Sequence, residues 1–146
     1  MSEGLSAKLG SIPEGASPED AARILFPDDE QAQQEYVQQA NELQESYEQA
    51  RSEAAEAGEI EPKALPAFVV AALPIIARCV INGLGAAGIN EIINLVHKGE
   101  QATAESRVYA LVGGCIQGII PWKWLADKLK KPIATAVLWV IIKWNT

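Results

Sequence analysis

Apolar and polar positions change their pattern near Ala64. Before that point apolar residues form thin stripes on polar segments. Met1–Gly15 carries Gly4, Gly10, Pro13 and Gly15 and is expected to be disordered. Ser17-Pro18-Glu19-Asp20 is a helix start, with a hydroxyl N-cap, proline at N1 and acids in the first turn. Pro27 limits this helix to about Phe26. Its Ile24, Leu25 and Phe26 are expected to dock onto the C-terminal part. A second helix is predicted from Asp28 to about Ala57, ended by Gly58. Tyr36, Ala40, Leu43, Tyr47, Ala50 and Ala54 recur at alternating spacings of four and three. Every other face is Gln or Glu, so one stripe laid on a neighbouring helix is preferred to a coiled-coil oligomer. Residues 58–63 read as a linker.

From Ala64 the runs are strongly apolar. Ala64–Ile81 is a helix that Pro74 is expected to kink or interrupt. Gly83 and Gly85 read as a turn. Gly85–Lys98 is amphipathic, with Ile89, Ile92, Ile93 and Val96 on one face, and Gly99 stops it. Thr103 is the expected cap of a helix to Ile120, on which Ala110, Gly114 and Gly118 form a small-residue stripe. Trp122, Leu125 and Leu129 share a face of the next helix. Pro132 is expected to start another, Ile133–Ile142, whose only polar side chain is Thr135. The uncharged runs Ala64–Ala77 and Val108–Trp122 fall short of the ~18–20 residues of a spanning helix. No segment alternates like a strand. The expected fold is all-α: an acidic helical N-terminal segment, residues 1–63, then a compact hydrophobic bundle of four or five helices, residues 64–146.

Charge sharpens this division. The net charge is −7, but residues 1–63 hold fifteen acids and four bases, and residues 64–146 four acids and eight bases. An acidic pro-segment joined to a basic, apolar unit is the pattern this implies. One histidine and two cysteines do not make a zinc site, and no cofactor motif is present. His97 has no marked nucleophile or acid beside it. Gly83-Leu84-Gly85-Ala86-Ala87-Gly88 lacks the strand that a phosphate-binding loop needs. No enzyme constellation is visible. The lysines of 123–131 stand beside an apolar run in an acidic chain, which argues against nucleic acid. No classical signal peptide is apparent in MSEGLSAKLGSIPEG.

Tryptophans next to lysines on an apolar helix suit a membrane–water interface. Trp122, Lys123, Trp124, Lys128, Lys130, Lys131, Trp139, Lys143 and Trp144 are therefore the candidate membrane-binding residues. The blander reading is a helical hairpin whose tryptophans fill an ordinary core. WKWLADKLKKP, IATAVLWVIIKW and ALPAFVVAALPIIA, behind an acidic helical segment, resemble bacteriocin precursors. In size and helix count residues 64–146 are similar to circular and leaderless saposin-like bacteriocins. The chain departs from them in its long N-terminal segment and its two cysteines. The resemblance implies an antimicrobial, membrane-permeabilising protein made as a precursor. Its partners would be anionic lipids of target cells and a dedicated exporter or leader protease. It would be secreted without a classical signal peptide and act at a membrane. Cleavage is expected in Glu59–Leu65; cleavage after Gly113-Gly114 would release Cys115–Thr146, but would split a helix. The alternative is a small non-lytic membrane-associated or scaffold protein that binds a cytoplasmic partner through its acidic helix.

Cys79 and Cys115 both lie on apolar helical segments. Adjacent packing of those helices would allow a disulfide between them. Two buried thiols acting as small hydrophobes are the other reading.

Overall fold

The structure, a computed structural model, describes residues 2–13, 15–56, 58, 72–119 and 123–145. Six helices are found among them: α1 (Ser2–Ser11), α2 (Pro18–Leu25), α3 (Glu30–Glu56), α4 (Leu73–His97), α5 (Gln101–Ile116) and α6 (Lys123–Trp144). No strand occurs among the described residues. The protein is an all-helical bundle.

Helix α6 is its centre, packed by α3, α4 and α5, while α2 lies on α3 and α1 on α4. One apolar core runs from Leu5 on α1 to Ile141 on α6. The acidic N-terminal helices are thus built into the same core as the basic ones. The linker and cleavage stretch Glu59–Leu65 lies outside the described residues, as does the start of the helix expected from Ala64.

Local chemistry explains most boundaries. The Ser17 hydroxyl accepts the Asp20 N–H at 3.2 Å, and Pro18 occupies the first turn of α2. The Asp29 carboxylate accepts the Ala32 N–H at 3.0 Å, so α3 begins at Glu30 rather than at Asp28. The Gln33 side chain donates to the Phe26 carbonyl at 2.7 Å and fixes the angle between α2 and α3. At the end of α4, Gly99 has φ 82°, and the Glu100 N–H reaches back to the Leu95 carbonyl at 2.8 Å. This is a glycine stop that also satisfies a terminal carbonyl.

Four expectations need correction. Residues 2–11 are helical, because Leu5 and Leu9, one turn apart, are buried against α4. Pro74 sits in the first turn of described α4, where its missing N–H has no helical partner to lose; the residues before Ala72 on which an interruption would show lie outside the described ones. The expected turn is a break inside α4 at Gly85, with φ 69° and ψ 178°, while Gly83 stays helical. Helix α5 starts at Gln101 after Glu100 and ends at Ile116, so Thr103 is inside it rather than capping it.

The fourth correction concerns Pro132, which lies within α6 rather than starting a new helix. An interior proline costs roughly 3 kcal/mol. Leu129, Ile133 and Val137 flank it and are fully buried. Burial of each contributes about 1.5–3 kcal/mol, so continuous packing outweighs the lost hydrogen bond. Replacing Pro132 by Ala restores that bond but frees the unfolded chain. The expected net result is stabilisation by about 2 kcal/mol, read as a higher urea midpoint at unchanged slope. A lower midpoint would mean that the proline is required for the path of α6.

Candidate membrane-active surface

Eight of the nine candidate residues are carried by α6, and the structure divides them between two sides. Trp139, Lys143 and Trp144 lie under α2 and α3. The Phe26 ring meets Trp139 edge-on at 5.6 Å between centroids and Trp144 at 6.3 Å. Tyr36 stands 6.3 Å from Trp139. Phe26 reaches this position because the Phe26 N–H donates to the Ala22 carbonyl as α2 ends, before Pro27. Leu25 and Phe26 are buried and Ile24 is partly exposed; of the three, Phe26 is the one whose ring reaches α6 in these contacts. Such offset and edge contacts favour the ring quadrupoles beyond simple burial.

The charges follow the same division. Lys128 pairs with Glu53 and Lys143 with Glu35, the latter at 3.6 Å. Both acids are on α3, so α3 runs antiparallel along α6 and spans its cationic side. The Lys128 ammonium holds the Glu53 carboxyl below the usual glutamate range, chiefly through their hydrogen bond. The Lys128–Glu53 pair is half exposed and the Lys143–Glu35 pair is about a third exposed, and such pairs contribute little stability. The apolar stripe of α3 does more: Tyr36, Ala40, Leu43, Tyr47 and Ala50 are all buried. Burial raises the Tyr36 phenol well above its ordinary range, and raises Tyr47 in the same direction against the opposing charge of Arg51.

Lys123 and Lys131 are exposed, and neither forms an ion pair among the described residues. Lys130 pairs with Asp127 on its own helix at 3.1 Å, and its stem lies over Gly113 of α5. Trp124 is half-buried against the core. Trp122 lies outside the described residues. The nine candidates are therefore not one surface.

Cys79 and Cys115 form a disulfide with Cα atoms 5.9 Å apart, which joins the first half of α4 to the last turn of α5. Farther along the same hairpin, Arg107 pairs with Glu91 at 2.6 Å. His97 is exposed in the last turn of α4. Among the described residues no three His, Cys, Asp or Glu side chains converge as metal ligands.

The ring contacts of Phe26 and Tyr36 were not derivable from periodicity alone. The stripe on α3 was, but the identity of its partner was not. The spacing of Leu5, Leu9 and Ile12, four then three, was the available signal for α1.

No known protein family, characterised protein or solved structure matches the chain.

Proposed function

We propose that the chain is the precursor of a bacteriocin-like, membrane-permeabilising protein, and that α1–α3 form its removable cover. The observation that carries this reading is acidic α3 laid along basic α6, pairing Glu53 with Lys128 and Glu35 with Lys143, with Phe26 and Tyr36 over Trp139 and Trp144. The cover pairs two of the cations and overlies two of the rings that a bilayer surface would attract. Cleavage between α3 and α4 by an exporter or leader protease would end the covalent link and let anionic lipid compete for α6. Each basic residue at such a surface contributes about 1 kcal/mol. The Cys79–Cys115 bond supports export, since a reducing cytoplasm keeps thiols free.

The test is release of dye from anionic vesicles by the full chain and by residues 64–146. The shorter chain is expected to act at least tenfold more potently. The gap should narrow as salt screens exposed charges over ~10 Å at 0.1 M. Equal potency of the two would remove the pro-segment from the account. The outward face of α3, with exposed Glu42, Glu45 and Glu48, favours one other reading. It is a non-lytic membrane-associated protein that binds a basic partner there, and absence of dye release by either chain would favour it.

A further inference from the structure

Helix α4 is broken inside its length, at Gly85. Gly85 is its one residue outside the helical region, at φ 69° and ψ 178°. That region is essentially restricted to glycine. The other positive-φ glycines among the described residues, Gly15, Gly58 and Gly99, lie between or after helices; only Gly85 is inside one. A Cβ at Gly85 would meet nothing within 4 Å. The glycine is needed for the bend, not for a close approach.

Among the described residues the broken helix is also the one long and apolar enough, by length and composition, to cross a membrane. Leu73–His97 has 25 residues, and its best 18-residue window has mean hydropathy 1.4 with only 22% of that window buried. Straightened, it would be about 37 Å long at 1.5 Å per residue, enough for a hydrocarbon core of about 30 Å. Between its ends it carries one base, Arg78, and one acid, Glu91. Arg78 is about a turn and a half from the start of described α4, within snorkelling reach of headgroups. Glu91 already has its counter-ion, Arg107, on α5.

The bent form is held by α1. The Ser6 hydroxyl donates to Asn82 Oδ1 at 2.8 Å, one turn before the break. The Arg78 guanidinium lies across Gly10, and Leu5 and Leu9 are buried. A groove of about 490 Å³ between α1 and α4 opens onto Gly85 and Ala86. We infer that α4 is a membrane span stored in a bent form, which straightens through Gly85 once α1 lets go and enters an anionic bilayer with α5 as a hairpin closed by Cys79–Cys115. This rests on the membrane-permeabilising reading and names the element that inserts.

The test uses the full, oxidised chain with vesicles of phosphatidylglycerol and phosphatidylcholine. Gly85→Ala disfavours the bend and favours a continuous helix. Gly99→Ala puts the same side chain at another positive-φ glycine with open space around it, at the end of α4 rather than inside it. Gly85→Ala is expected to raise the rate of dye release roughly tenfold over wild type, and Gly99→Ala less than twofold. An equal rise in both, or none in Gly85→Ala, would overturn the inference. Amide exchange of wild type keeps it open to refutation if the variant does not fold. Amides of residues 80–90 should exchange more slowly on vesicles than in solution. Dye release without that protection would refute the inserted α4 and leave permeabilisation standing. Protection without dye release would do the reverse.

Discussion

Replacing Cys79 and Cys115 together by alanine should lower the unfolding free energy by about 4 kcal/mol. The bond closes a loop with a sequence separation of 36 residues. In the chain-entropy view, its removal returns that loop's freedom to the unfolded ensemble. The loss is concentrated where intrinsic helix stability is poorest. Helix α4 is interrupted at Gly85, and α5 carries Gly113 and Gly114 near its end, each costing roughly 1 kcal/mol relative to alanine. Without the bond, apolar packing of Ile76, Val80, Val112 and Ile116 must hold that end of the hairpin alone. Urea unfolding of the oxidised wild type and the double variant measures the difference. A change below about 1 kcal/mol would mean that the unfolded chain is already restricted there.

The second large effect is expected at Tyr36. Truncation of a fully buried aromatic side chain costs about 3–5 kcal/mol, and Tyr36 is 1% exposed against Trp139. Tyr36→Ala should therefore lower stability by that amount and also loosen α3 from α6. Charge neutralisation at Glu53 should change stability little, because that carboxylate is exposed. The contrast decides what fixes the cover: apolar contact holds it, and the ion pairs set its register along α6. If Glu53→Gln proved as damaging as Tyr36→Ala, the order of these effects would be reversed.

The same tyrosine predicts a response to alkali. Its phenol is an acid whose pKa is raised in the folded state, so folding favours the protonated form. That contribution is complete below the unfolded value of 10.0 and is lost as pH rises above it. Glu53 works in the opposite direction: its pKa is lowered, so its pairing with Lys128 holds above the ordinary value of 4.5 and fails as acid passes through the lower folded value. Stability followed by circular dichroism should therefore decline above about pH 10, and Tyr36→Phe should remove part of that decline. An unchanged alkaline limit in Tyr36→Phe would assign it to other groups.

Much of this fold was legible where local chemistry is decisive. Ser17-Pro18 with its acids marked the start of α2, and Gly99 marked the end of α4. The stripe from Tyr36 to Ala50 marked the face that α3 buries. The misreadings share a cause, which is capture by tertiary contact. Residues 2–11 contain two glycines and little helical signal of their own, yet Leu5 and Leu9 find an apolar surface on α4. Pro132 is a strong local stop signal, but the residues on both sides of it belong to one buried face. The candidate surface was legible in kind and not in arrangement. Composition identifies tryptophans and lysines on α6; it does not reveal that Phe26 and Tyr36 lie over two of the rings.

Tryptophan emission on vesicles of brominated phosphatidylglycerol measures how far α3 and Phe26 cover α6. The intact chain is compared with the same chain cut at a protease site placed between Glu59 and Glu61. The account predicts weak quenching of the intact chain and strong quenching after the cut, as Trp139 and Trp144 exchange Phe26 and Tyr36 for lipid. Strong quenching of the intact chain, or none after the cut, would contradict it.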